Sequence, residues 1–172
     1  ELDKLNLKNK WNIKYVNTGL NTMTGGRIKR IKKFLGNDKN FYLSYGDGLS
    51  DININKLTKF HFKHNKIATL SAVKYNNPKG ILIIEKNSTI KTIKEKPLEY
   101  INGGFFILSN KIFKYLKNDQ SVFEKDCLPK LSKIKQLKAY RHNGFWACMD
   151  TLREKKLLNK IWRSKKKAWK VW

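Results

Sequence analysis

The residues from Lys66 to Val73, KIATLSAV, form an almost unbroken apolar run that stops at the turn-forming NNPKG. A run of this kind is buried on both faces, as strands are in parallel sheets covered by helices on either side. The segments around it fit that setting. NIKYV, residues 12–16, alternates polar and apolar and is expected as a strand, followed by a polar, glycine-bearing loop. RIKRIKKFLG then places Ile28, Ile31, Phe34 and Leu35 at helical spacing, with Gly36 as a C-cap. Phe41 to Tyr45 reads as a second strand, and Asp51 stands where it can cap a helix with Ile54, Leu57, Phe60 and His61 on one face. Strands alternating with helices of this length predict a parallel α/β core.

From Gly80 the rhythm changes. ILIIEK, NSTI and IKTIKEK predict a β-hairpin, and INGGFFIL a longer strand after EKP. Ser109 or Asn110 caps KIFKYL. SVFE at Ser121, with Glu124 three residues on, has the form of a capping box that opens a helix near Pro129. QLKAYRHN and GFWACM read as strands, and TLREKKLLNKIW as a helix whose apolar positions are Leu152, Leu157, Leu158 and Ile161. The tail RSKKKAWKVW holds Trp169 and Trp172, which should pack on core or on a subunit. No repeat or low-complexity linker divides the chain, so one domain over 1–172 is expected.

The formal net charge of +25 raises nucleic acid as a partner. Against it, the charge is nearly all lysine, with Arg27, Arg30, Arg141, Arg153 and Arg163 the arginines, and it is spread along the chain without interleaved aromatic stacking platforms. An AT-rich coding sequence gives the same composition. No apolar run reaches the roughly 18 residues of a membrane span. The first residues, ELDKLNLKNK, have no apolar signal segment, and Cys127 and Cys148 lack metal-ligand spacing. These features fit a cytoplasmic protein. His61 and His64 are read as packing or surface residues, because no further His or Cys cluster accompanies them.

Two carboxylates have alternative readings. In FYLSYGDGLSD, Asp47 sits between Gly46 and Gly48 at a strand's carboxyl end, where α/β proteins bind ligands; it is a turn residue or a metal ligand. Asp150 at the head of the last helix is an N-cap or a ligand. The residues alone leave both open.

Several stretches taken together resemble one family. TGLNTMTGGRIKR (18–30), YGDGLSDI (45–52), KEKP (94–97), INGGFF (101–106), VFEKDCLPKL (122–131), HNGFWACMDTLREKKLL (142–158) and the final WKVW are similar, in order, to the glucose-1-phosphate cytidylyltransferases of the sugar nucleotidyltransferase superfamily. The resemblance implies a Rossmann-like mixed, mostly parallel sheet flanked by helices. It implies transfer of CMP from CTP to α-D-glucose 1-phosphate, giving CDP-glucose and pyrophosphate for O-antigen or dideoxysugar synthesis. It implies Mg²⁺ held by Asp47 and Asp150, with Asp51 left as a helix cap. Thr22, Arg27 and Gly46 match nucleotide-binding positions; Glu95, Lys96, Asn102 and Gly103 match positions at the sugar phosphate and glucose. A homo-oligomer, a hexamer, is also implied.

The resemblance has gaps. The family's glycine-rich phosphate loop with its Arg, and the following Lys segment, have no counterpart, and GGR at 25–27 belongs to a later motif. The segment from Tyr75 to Gly80 is shortened where the family carries an Arg-Phe-Gly loop. The chain thus resembles a carboxyl-terminal portion, incomplete at the N-terminus, and little or no activity is expected of these 172 residues alone. The alternatives are a non-catalytic sugar-nucleotide-binding protein and a basic nucleic-acid binder.

Overall fold

The computed structural model describes residues 12–76, 79–164 and 167–171. In chain order the elements are helix α1 (Thr24–Ile31) with a 3₁₀ turn (Lys32–Phe34), strands β1 (Asn40–Ser44) and β2 (Gly48–Ser50), helix α2 (Ile54–His64), and strands β3 (Ala68–Asn76), β4 (Ile81–Ile84), β5 (Ile90–Lys94) and β6 (Leu98–Ser109). Then come a 3₁₀ helix (Asn110–Tyr115), a π turn (Phe123–Cys127), α3 (Leu128–Lys133), β7 (Leu137–His142), β8 (Trp146–Cys148) and α4 (Leu152–Arg163). They fall into two compact units: Glu1–Asn37 with Phe113–Lys130, and Asp38–Ile112 with Leu131–Trp172.

In the smaller unit, α1 buries Ile28, and the chain leaves it through Gly36 at φ 56°, the left-handed conformation expected of a C-cap glycine. The N–H groups of Gly25 and Gly26 both donate to the Ser121 carbonyl, at 2.9 and 3.2 Å. A Cβ on Gly26 would lie 2.5 Å from the Asp119 carbonyl oxygen, so this glycine pair serves close backbone approach. The capping box expected at Ser121 is not formed. Ser121 Oγ accepts from the N–H groups of Lys117 and Asn118, Glu124 accepts from Thr24 Oγ1, and Asp126 accepts from the Val122 N–H at 2.7 Å. Pro129 lacks the N–H that would close a regular α turn, and the chain takes the wider π turn just before it. Residues 12–16 are not a strand. Alternation makes a strand only where a neighbour supplies the ladder, and Tyr15 is 67% exposed.

The larger unit is built on a four-stranded sheet of order β1-β6-β3-β7. β6 runs antiparallel to both β1 and β3, whereas β3 and β7 are parallel, with Leu70 opposite Ala139. The sheet is mixed, as expected. Among the described strands it is not mostly parallel, because the long β6 inserts against the direction of both its neighbours. β3 is covered on both faces as its apolar run required, with Ala68, Ala72 and Val73 buried; Phe106, Ile107 and Leu108 of β6 complete the core. β4 and β5 form the predicted hairpin. Trp169 is buried and stacks on Phe145 and Trp162, at centroid distances of 5.6 and 5.9 Å. Trp172 and the Asn77–Pro78 part of the turn after β3 lie outside the described residues. No described helix is long and apolar enough to cross a membrane.

The last turn of α2 carries a closed polar chain. The Lys66 N–H donates to His64 Nδ1 (2.9 Å), so neutral His64 has its proton on Nε2, which meets Thr69 Oγ1 at 2.7 Å. The Thr69 hydroxyl in turn donates to His61 Nδ1 (2.8 Å), leaving His61 Nε2–H for Asn40 Oδ1 at 3.3 Å. Burial, with His64 alongside, pulls the His61 pKa down to about 4, and burial and nearby Lys138 lower that of His64. Both histidines are packing residues, as expected from the sequence.

Candidate active site

Beyond the carboxyl end of β1 the chain bends through Gly46 and Asp47 into β2, and β2 pairs antiparallel with β8, Gly48 lying opposite Cys148. One further bond, from the Met149 N–H to the Asp47 carbonyl at 3.0 Å, closes the end of this ribbon. Asp47 and Asp150, far apart in sequence, thereby reach the same place. Both are exposed, and they line one cleft of about 300 Å³ with Tyr45, Asn102, Gly103 and Trp146. Gly46 and Gly48 are not in the left-handed region, so the bend does not require glycine dihedrals. A Cβ on Gly46 would meet nothing within 4 Å, which leaves open space beside Asp47.

The cleft floor is a bulge in β6. The pairing with β3 steps from Leu70–Phe106 to Ala72–Asn102, so β6 carries extra residues there. Gly104 adopts φ 78°, and a Cβ on Gly103 would fall 2.7 Å from Ser71 Oγ. Gly104 is therefore fixed by its backbone conformation and Gly103 by the close packing of the Ser71 and Val73 side chains. The bulge turns the Gly103 carbonyl to the Trp146 indole N–H at 2.8 Å, which seats the β2–β8 ribbon on the sheet. The Asn102 carboxamide donates to Tyr45 Oη (3.1 Å) and accepts from the Gly104 N–H (3.0 Å).

The N-cap reading of Asp150 is settled by its neighbour. Thr151 caps α4 and forms a capping box with Glu154. Glu154 Oε2 accepts from the Asp150 N–H (2.9 Å), the Thr151 N–H (2.8 Å) and Thr151 Oγ1 (3.0 Å). Cys148, Asp150 and Glu154 place possible ligand atoms within 4.8 Å of one another. Burial, reinforced by Asp150 and Glu154, pushes the Cys148 thiol up to about 11, so it stays protonated near neutral pH. A protonated thiol does not bind a hard cation, and one Glu154 oxygen is already committed to three donors. Carboxylate oxygens on Asp47 and Asp150 are the donor type that suits Mg²⁺.

Asp51 is not the helix cap. Asn53 caps α2 by accepting from the Lys56 N–H at 2.9 Å, while Asp51 Oδ1 lies 2.9 Å from His142 Nε2. His142 Nε2 is directed at Ser50 Oγ and the Phe145 carbonyl (3.2 Å each), and the Asp51 carboxylate packs against Gly144, where a Cβ would collide with it. Glu95 and Lys96 are exposed in the bend between β5 and β6 and are not among the residues lining the cleft; Lys96 holds φ 43°. Thr22 and Arg27 belong to the smaller unit. Thr22 is buried, and the Arg27 guanidinium donates to Thr18 Oγ1 (2.7 Å) and to the Leu20 carbonyl (3.2 Å), bracing the loop before α1. Tyr45, Trp146 and Glu154 were not singled out from sequence; the TxxE pattern at 151–154 was the available signal for Glu154.

The nucleotidyl transferase family model matches residues 3–163. The chain is 39% identical over 165 residues to a glucose-1-phosphate cytidylyltransferase of Salmonella typhi, an alignment covering 94% of this chain and 64% of that protein. It is also 39% identical over 175 residues to a probable glucose-1-phosphate cytidylyltransferase of Bacillus subtilis, covering 100% of this chain and 68% of that protein. Among solved structures, HddC from Yersinia pseudotuberculosis in complex with GMP-PN superimposes with a TM-score of 0.69 at 22% identity, over 94% of this chain and 73% of that one, which shows the shared fold. The chain belongs to the nucleotidyl transferase family, and its sequence places it with that family's glucose-1-phosphate cytidylyltransferases.

Proposed function

We propose that the chain serves the transfer of CMP from CTP to α-D-glucose 1-phosphate, with release of pyrophosphate. The observation that carries this reading is the convergence of Asp47 and Asp150 on one cleft, in a chain 39% identical to proteins bearing that activity's name. In the reaction a phosphate oxygen of glucose 1-phosphate forms a bond to the α-phosphorus of CTP as the bond to the pyrophosphate oxygen breaks. Both reactants are anions, so positioning and charge neutralisation decide the rate. Asp47 and Asp150 would hold Mg²⁺, which supplies that neutralisation when bound. The bulge of β6 and Trp146 hold the cleft's shape, and the open side of Gly46 admits the nucleotide. Asn102 and Gly103, which line the cleft, are assigned to the glucose moiety, Gly46 beside Asp47 to CTP, and Glu95 and Lys96 to the sugar phosphate.

Because the chain spans 64% of the length of the Salmonella relative, we also propose that these 172 residues alone have little or no activity. The assay is incubation with glucose 1-phosphate, Mg²⁺ and each of CTP, UTP, GTP and dTTP, with sugar nucleotides separated by chromatography. CDP-glucose as the favoured product supports the reading. Another sugar nucleotide in its place contradicts it, and pyrophosphate release at an ordinary enzyme rate of about 1–10³ per second overturns the expectation of little or no activity.

A further inference from the structure

We infer that Glu154 is a positioning residue that holds Asp150 toward the cleft, by gripping the backbone on which that carboxylate is mounted. The inference rests on the metal role proposed for Asp150. A capping box needs the N3 carboxylate to reach only the N-cap N–H. Here Glu154 Oε2 also takes the N–H of the preceding residue, Asp150, at 2.9 Å, along with both donors of Thr151. Residue 150 is otherwise a junction, between the end of β8 at Cys148 and the start of α4 at Leu152, with no strand or helix ladder of its own. The Asp150 N–H and the Thr151 N–H lie on either side of the Asp150 Cα, so Glu154 Oε2, taking both, fixes the direction in which that side chain leaves. One residue earlier the chain is also pinned by the Met149 N–H on the Asp47 carbonyl. Glu154 itself cannot serve equally as a ligand, since Oε2 is occupied by three donors and Oε1 faces the Cys148 thiol at 4.0 Å.

Two features separate positioning from simple helix capping and from simple charge. Thr151→Ala removes both bonds of Thr151 Oγ1, from the Glu154 N–H and to Glu154 Oε2, but leaves Glu154 on the Asp150 and Thr151 N–H groups. Glu154→Gln removes the negative charge but keeps an acceptor oxygen. Mn²⁺ binding to the 172-residue chain, read by the loss of its free-ion EPR signal, is compared in wild type, E154A, E154Q, T151A and D150N, with Tm measured alongside. Outer partners of metal ligands commonly contribute 10–100-fold to affinity. E154A is expected to weaken Mn²⁺ binding about tenfold, with E154Q and T151A within about threefold of wild type, although T151A lowers Tm as E154A does. Should E154A fail to fold, E154D, one methylene short of the Asp150 N–H, is read in its place with the same expectation. Wild-type affinity in E154A, or a T151A loss as large as that of E154A, overturns the inference. Wild-type affinity in D150N instead removes the metal role of Asp150 on which it rests.

Discussion

One strand, β3, runs between two groups of titratable side chains that the sheet treats in opposite ways. Near its start Thr69 joins His61 and His64 in a chain of hydrogen bonds where every ring nitrogen has a partner and His61 is 2% exposed. Near its end Tyr75 borders the cleft in which Asp47 and Asp150 stand exposed to solvent. The first group spends its polar atoms on itself and so contributes to stability. The second has its backbone pinned and its carboxylates exposed to solvent, with Asp150 also meeting the Cys148 thiol, an arrangement a ligand can reach. Pinned backbone beneath solvent-exposed carboxylates, more than acidity as such, separates the cleft from a structural cluster.

The two ends of β3 should respond to different perturbations. The largest expected effect is on the cleft: D47N or D150N should lower whatever rate of CDP-glucose formation the protein sustains by about a thousandfold, roughly 4 kcal/mol, while Tm holds steady. A fall in Tm matching the fall in rate would make these residues structural. The histidine cluster should respond to acid. Since the folded His61 pKa is about 4 against an ordinary 6.5, the unfolded chain takes up the proton first. The stability is complete above pH 6.5 and is lost as pH falls from 6.5 toward 4, on the order of 3 kcal/mol in denaturant titrations. The lowered pKa of His64 acts in the same direction. A flat stability profile over that window would contradict the closed network. The smallest effect is that of Thr69→Val, which strands His61 Nδ1 and His64 Nε2 and should cost about 2 kcal/mol by chemical denaturation. Mn²⁺ affinity should not change in that variant; a change would mean the two ends of β3 are coupled.

Much of the larger unit can be read from residue pattern: β3 from its unbroken apolar run, the β4–β5 hairpin from its turn, and β7 and β8 as the strands QLKAYRHN and GFWACM. What could not be read was pairing. Nothing local in INGGFF reveals that β6 would run against both its neighbours, because strand direction is decided by long-range partners. NIKYV shows the converse, alternation without a ladder and hence no strand. Caps are hard to place at short range: Asp51 has the right residue type, yet Asn53, two residues on, caps the helix, and the Ser121 hydroxyl is taken by the Lys117 and Asn118 N–H groups instead. The carboxylate pair was legible only through the family resemblance, because the contact of Asp47 with Asp150's neighbour depends on the β2–β8 ribbon. Trp146, which seats that ribbon on the Gly103 carbonyl, carries no local signal beyond being aromatic.

The most direct test of the account is Mn²⁺ binding measured by EPR in wild type, D47N, D150N and the double variant. Two carboxylates sharing one ion should be strongly non-additive. The prediction is that each single substitution weakens binding at least about tenfold and that the double variant is little worse than the weaker single. Binding that survives both substitutions, or losses that simply add as for independent sites, would contradict a shared cation at Asp47 and Asp150.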